Sequence, residues 1–124
     1  MDLQLRGKSA LITGSSKGIG RQIAETLAEE GCNVGVCARD RSEVDAAVAE
    51  LEKHGVGVHG DVVDVADADS LKKWMDDCAN KFGGIDIFVP NVSAGGADAE
   101  ESGWRTGFEV DMLSTWRGVQ TVMP

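Results

Sequence analysis

The chain alternates short apolar runs with longer amphipathic stretches. Residues 9–12, Ser-Ala-Leu-Ile, are short and apolar enough for a buried strand. Ile19, Ile23 and Leu27 then recur at helical spacing, the stripe of a helix packed on a sheet, and Gly31 reads as its C-terminal cap. Residues 33–37 predict a second strand. Ser42 reads as the N-cap of a second helix, with Asp45 in its first turn and Val44, Ala47, Val48 and Leu51 inward. Residues 56–61 predict a third strand, weakened by its glycines. Over 67–82, Leu71, Trp74, Met75, Cys78 and Phe82 share one helical face, a stripe better suited to core packing than to a cofactor. A fourth strand over 85–89 stops at Pro90, and a polar loop covers 94–103. A last helix runs from about residue 102 towards 124, with Trp104, Phe108, Met112, Thr115, Val119 and Met123 on or near one stripe.

Strict alternation of strand and helix predicts a parallel sheet covered on both faces. With right-handed crossovers, the fold class is α/β: a Rossmann-type doubly wound sheet in strand order 3-2-1-4. A chain of 124 residues makes one such domain. Ligands of such sheets bind beyond the carboxyl ends of the strands, where the order reverses between strands 1 and 4.

The first strand-to-helix connection is Thr13-Gly14-Ser15-Ser16-Lys17-Gly18-Ile19-Gly20. Such a turn presents free backbone N–H groups at the positive end of a helix, a site for a phosphate or pyrophosphate. Gly14 allows the tight turn, Gly18 a close approach of the ligand, and Gly20 close packing of helix on strand. The spacing is neither Gly-x-Gly-x-x-Gly nor a Walker A loop, so an ordinary glycine-rich turn is the competing reading. The strand before it and the helix after it favour the phosphate site.

Composition narrows the classes. A net charge of −9 argues against a nucleic-acid partner. No apolar run approaches the about 18 residues of a membrane span, and no signal peptide begins the chain, so the cytoplasm is the expected location. Cys32, Cys37 and Cys78 form no Cys-x-x-Cys pair, which suggests neither a disulfide framework nor a zinc site. His54 and His59 read as structural or solvated.

At the ends of strands 1 and 2, Lys17 and Arg39 can approach one point. An acidic residue after strand 2 would bind the adenosine ribose hydroxyls, but Ala38 and Arg39 stand there, and a guanidinium suits a 2′-phosphate. Asp40 can pair with Arg39 or Arg41, which leaves a solvated turn of mixed charge as the alternative. Asp61 after strand 3 can accept from an adenine amino group or close its own turn. Asn91 can tie neighbouring strands together or hold a ligand.

Taken together, these segments resemble the N-terminal half of a short-chain dehydrogenase/reductase. Thr13-Gly14-x-x-x-Gly18-x-Gly20 matches that family's cofactor motif, Asp61-Val62 its adenine-binding pair, and residues 86–93 its fourth-strand segment. The resemblance implies an oxidoreductase that moves a hydride between NADP(H) and a small carbonyl or alcohol. Lys17 with Arg39 goes with NADP(H) in the family, with NAD(H) as the alternative cofactor. It further implies cofactor contacts from Gly14, Ser15, Ser16, Lys17, Gly18, Ile19, Gly20, Arg39, Asp61, Val62 and Asn91, and a homo-oligomer built on the long fifth helix.

Three departures qualify the resemblance. Of the family's Asn-Asn-Ala-Gly after strand 4, only Asn91 survives, among Pro90, Val92 and Ser93. Asp111 stands where the family's catalytic tetrad has an asparagine, either as a modified relay or as a tolerated substitution. The chain has no tyrosine, so the family's proton-donating Tyr, with its Ser and Lys, is expected beyond Pro124. The 124-residue chain alone is then expected to bind cofactor without turnover, while a non-catalytic dinucleotide module or a degenerate scaffold is the alternative.

Overall fold

The computed structural model describes residues 3–91 and 101–123. Val92, Ser93, most of the predicted polar loop and Pro124 lie outside the described residues. Strands β1 (Ser9–Ile12), β2 (Asn33–Ala38), β3 (Val58–Val62) and β4 (Ile87–Val89) form one sheet in the order β3-β2-β1-β4. All three pairings are parallel, with Ala10 beside Val34 and Ile87, and Cys37 beside Asp61. Helices α1 (Gly18–Glu29), α2 (Arg41–Glu52) and α3 (Ala68–Phe82) connect the strands. Helix α4 (Glu101–Gly107) passes through a π-helical segment, Phe108–Leu113, into α5 (Ser114–Val122). The doubly wound architecture and strand order are those predicted.

Strands β1 and β2 bury both faces, which is why their apolar runs are continuous rather than alternating, while β3 and β4 at the sheet's two sides are mostly half-buried. Ala10, Ile12, Val34 and Val36 meet Ala24, Ala28 and Leu51 of α1 and α2. Leu11 and Cys37 meet Leu71, Trp74, Met75 and Cys78 of α3, as the sequence stripe predicts, with Phe88, Val110 and Val122 packed alongside. Arg117 clamps the last helix in place, donating to Ala66 O at 3.2 Å and pairing with Glu109 at 3.2 Å.

Three local expectations are corrected. Helix α2 starts on Asp40 rather than Ser42: the Asp40 carboxylate accepts from the N–H groups of Ser42 at 2.9 Å and Glu43 at 3.2 Å. The Ser42 hydroxyl and then the Glu43 N–H hold the Asp40 carboxyl below its ordinary pKa. In α1 the fully buried residues are Gly20, Ala24 and Ala28, and Ile23 and Leu27 of the expected stripe pack against the core half-buried, but Ile19 is 75% exposed. In the last helix, Trp104, Phe108, Met112 and Met123 are exposed, whereas Ser114 and Gly118 are buried and Val110 and Val122 half-buried. A Cβ on Gly118 would overlap the Phe88 ring, so this helix seats its smallest residue on β4, and Trp104, Phe108 and Met112 turn outward.

Candidate functional site

The carboxyl ends of the strands open onto a cleft of about 650 Å³. Its floor and rim include Gly14, Ser16, Lys17, Cys37, Arg39, Asp40, Glu43, Val63, Asp64, Val65 and Asn91, with Thr106 and Val110 completing the wall. The glycine turn borders it. Gly14 and Gly18 take φ of 61° and 64°, a region L-residues rarely adopt, and nothing lies within 4 Å of a Cβ placed on Gly18. A Cβ on Gly20 would overlap Gly14 O and Asn91 Nδ2, so close helix–strand packing requires glycine there.

Helix α1 begins on Lys17 in an extended conformation with no side-chain cap, whereas α2 and α3 begin on the capping carboxylates of Asp40 and Asp67. The first N–H groups of a helix have no partner within it, so an uncapped start facing a cleft can receive an anion. The donor set and the space fit a pyrophosphate.

The Ser15 side chain is taken up by the scaffold. It is fully buried, and its hydroxyl donates to Ile12 O at 2.7 Å and accepts from Cys37 N at 3.1 Å. Its own N–H donates to Cys37 O at 3.1 Å. These bonds extend the β1–β2 pairing past the strand end and commit the Ser15 hydroxyl to it. Burial pushes the Cys37 thiol up to about 12, so it is a neutral floor residue and no nucleophile. Asn91 ties strands: its N–H donates to Thr13 Oγ1 at 2.9 Å and its Nδ2 to Gly14 O at 3.2 Å.

On the α2 side, Lys17 and Arg39 both border the cleft, as expected. Arg39 makes no ion pair among the described residues, but Lys17 Nζ lies 3.8 Å from Glu43 Oε1, and Ser16 Oγ donates to Glu43 Oε2 at 3.1 Å. Glu43 went unnoticed in the sequence because it reads as an ordinary first-turn carboxylate.

At the end of β3, the Asp61 carboxylate accepts from Arg41 Nη2 at 3.1 Å and closes its own turn by accepting from Val62 N at 2.8 Å. Val62 is absent from the cleft lining, while Asp64 and Val65, a second Asp-Val pair, take part in it. Ile19 also stays outside the lining, and Asp111 lies half-buried in the π-helical segment without bordering the cleft.

Two histidine–carboxylate groups, Glu25-Glu29-His54 and His59-Asp61-Asp77, each place their ligand atoms within 4.8 Å of one another. Their carboxylates are largely committed: Glu25 binds Arg21 and His54, Asp61 binds Arg41, and Asp77 binds Lys73. No helix among the described residues is long and apolar enough to cross a membrane.

A doubly wound parallel sheet with a glycine turn and a cleft at its switch point defines a nucleotide-binding class of α/β protein. Within that class, residues 8–124 match the family model described as short chain dehydrogenase, and the chain belongs to that family of oxidoreductases. It is 36% identical over 128 residues to an uncharacterized oxidoreductase of Bacillus subtilis, covering 100% of this chain and 48% of the relative. Among solved structures, the L-sorbose reductase of Gluconobacter frateurii complexed with NADPH and L-sorbose superposes with a TM-score of 0.95 at 34% identity, covering 100% of this chain and 49% of that one. An NAD+-bound xylitol dehydrogenase gives 0.89 at 25% identity, with 96% and 48% covered. The chain spans about half the length of these relatives.

Proposed function

We propose that this chain is the cofactor-binding half of an oxidoreductase that transfers a hydride between NADP(H) and a small-molecule carbonyl or alcohol. The observation that carries the reading is the uncapped start of α1, which opens into a cleft bordered by Lys17 and Arg39. The pyrophosphate would lie on the N–H groups of Ser16 to Gly18, and the adenosine 2′-phosphate beside Lys17 and Arg39. Adenine would lie beyond the end of β3, where Asp61-Val62 is followed by the cleft-lining Asp64 and Val65. The related L-sorbose reductase complexed with NADPH supports a nicotinamide dinucleotide, and the NAD+-bound xylitol dehydrogenase keeps NAD(H) as the alternative. When bound, the nicotinamide supplies the hydride chemistry. This chain's own residues hold and orient the cofactor, with Asp111 proposed as a relay residue in place of the family's asparagine. No tyrosine is present to protonate a carbonyl oxygen, so the 124-residue chain alone is proposed to be inactive.

The exposed row Trp104, Phe108, Met112 and Trp116 supports a homo-oligomer in which a second copy covers it. Three buried, unbridged cysteines fit a reducing compartment such as the cytoplasm. The direct test is titration with NADPH and NADH, followed by cofactor fluorescence. Both should bind, and Arg39→Asp should weaken NADPH at least tenfold more than NADH. Equal losses would remove the 2′-phosphate role, and no binding of either cofactor would remove the reading itself.

A further inference from the structure

We infer that Glu43 sets how strongly the cleft discriminates NADP(H) from NAD(H), by acting as an internal rival of the 2′-phosphate. The inference rests on the dinucleotide reading above and adds a specificity residue to it. Glu43 sits in the first turn of α2, whose positive end favours an anion. There it accepts from Ser16 Oγ at 3.1 Å and faces Lys17 Nζ at 3.8 Å. Ser16, Lys17 and Glu43 all border the cleft. Two of the groups best placed to hold a 2′-phosphate are therefore already engaged by the protein's own carboxylate.

The other carboxylates on the rim are differently committed. Asp40 caps α2 through the N–H groups of Ser42 and Glu43, and Asp64 accepts from Ala66 N at 3.0 Å inside its own turn. Glu43 alone of the three is bound by its side chain to Ser16 and Lys17 of the glycine turn. Its hold is light, because the Lys17 side chain is 81% exposed and such pairs contribute little. A 2′-phosphate would take Ser16 and Lys17 from Glu43 and lie close to the displaced carboxylate. Repulsion between unit charges about 4 Å apart in water corresponds to roughly fivefold in affinity, and a phosphate carries more than one charge. A ribose 2′-hydroxyl, in contrast, is a donor that Glu43 can accept from. Glu43 thus opposes NADP(H) and favours NAD(H), against the pull of Arg39.

The test compares adenosine 2′,5′-bisphosphate with 5′-AMP, which differ only in the 2′-phosphate, by calorimetric titration of wild type and Glu43→Gln. Circular dichroism checks that the variant folds, and NADPH and NADH titrations of wild type run in parallel. The expected result is an affinity ratio, bisphosphate over 5′-AMP, raised at least tenfold by Glu43→Gln and further by Glu43→Lys. If NADPH and NADH bind wild type but Glu43→Gln leaves that ratio within twofold, this inference is overturned and the dinucleotide reading stands. If wild type binds neither dinucleotide, the reading itself fails, and the inference with it.

Discussion

Replacing Ser15 by alanine removes one hydroxyl and leaves two groups to find new partners. The Ser15 side chain is fully buried, donates to Ile12 O and accepts from Cys37 N, and Cys37 is itself 1% exposed. Ile12 O retains a second lone pair, but the Cys37 N–H is left in the interior without its acceptor. A buried donor orphaned in this way costs about 1–3 kcal/mol. With unfolding entropy of about 2.1 cal/mol/K per residue over 124 residues, a loss of about 2 kcal/mol lowers Tm by about 8 °C. The Ser15 N–H bond to Cys37 O survives, so the turn keeps its course. Scanning calorimetry with urea unfolding as a second probe measures the loss, and a nucleotide titration of the same variant should show less than a threefold change in Kd. An unchanged Tm together with a tenfold weaker Kd would refute the argument, because it would place the hydroxyl on the ligand instead of between the strands.

Two further variants test other parts of the frame. Gly20→Ala pushes a methyl group into Gly14 O and Asn91 Nδ2, and overpacking of this kind costs about 1–3 kcal/mol; the urea midpoint should fall and nucleotide affinity with it, since the phosphate turn must shift. Glu25 accepts from Arg21 at 2.6 Å and from His54 at 2.5 Å, and these bonds, Arg21 first, lower its pKa from the ordinary 4.5. A carboxyl whose folded pKa is depressed adds stability above its unfolded pKa and loses it as pH falls through the folded one. Glu25→Gln should therefore be less stable than wild type at pH 7 by under about 1 kcal/mol, with the gap closing below about pH 4.5 in urea unfolding series.

The strands and the sheet order were legible in the sequence because parallel strands bury both faces and so read as unbroken apolar runs. Helix α3 was legible for a related reason: its inward face carries Leu71, Trp74, Met75 and Cys78, all large or apolar enough to signal burial. The inward faces of α1 and of the last helix carry a weaker signal, since Ile23, Leu27, Val110 and Val122 pack on the core only half-buried. Where a helix packs closely on a strand its contact residues are small, as Gly20 and Ala24 are in α1 and Ser114 and Gly118 are in α5. Their bulky neighbours Ile19, Phe108 and Met112 then look like the core and face outward. A hydrophobic stripe locates a helix reliably, but it names the buried face only when the packing distance leaves room for large side chains.

At the cleft, the positions of the glycine turn and of Lys17 and Arg39 on its border were legible because they follow from the strand ends of a doubly wound sheet. The end of β3 was less so: two Asp-Val pairs stand three residues apart, and nothing in the sequence shows that the second, Asp64-Val65, lines the cleft. Glu43 was equally hidden, since its partners Ser16 and Lys17 are more than 25 positions away in the chain and meet it only across the folded rim.

The bare N-terminus of α1 ties occupancy to folding. Helices α2 and α3 carry their caps as covalent parts of the chain, so their first turns are complete whatever else is bound. Helix α1 has no such residue, and an anion in the cleft would serve as its removable cap. Thermodynamic linkage then makes the stability of this protein a function of ligand concentration: at a hundred times its Kd, a ligand adds about 2.7 kcal/mol, comparable to the whole effect of a typical helix cap and more. The first turn of α1 would fray in the free protein and become protected from hydrogen exchange on binding, so its amides would report cofactor occupancy without any turnover being measured.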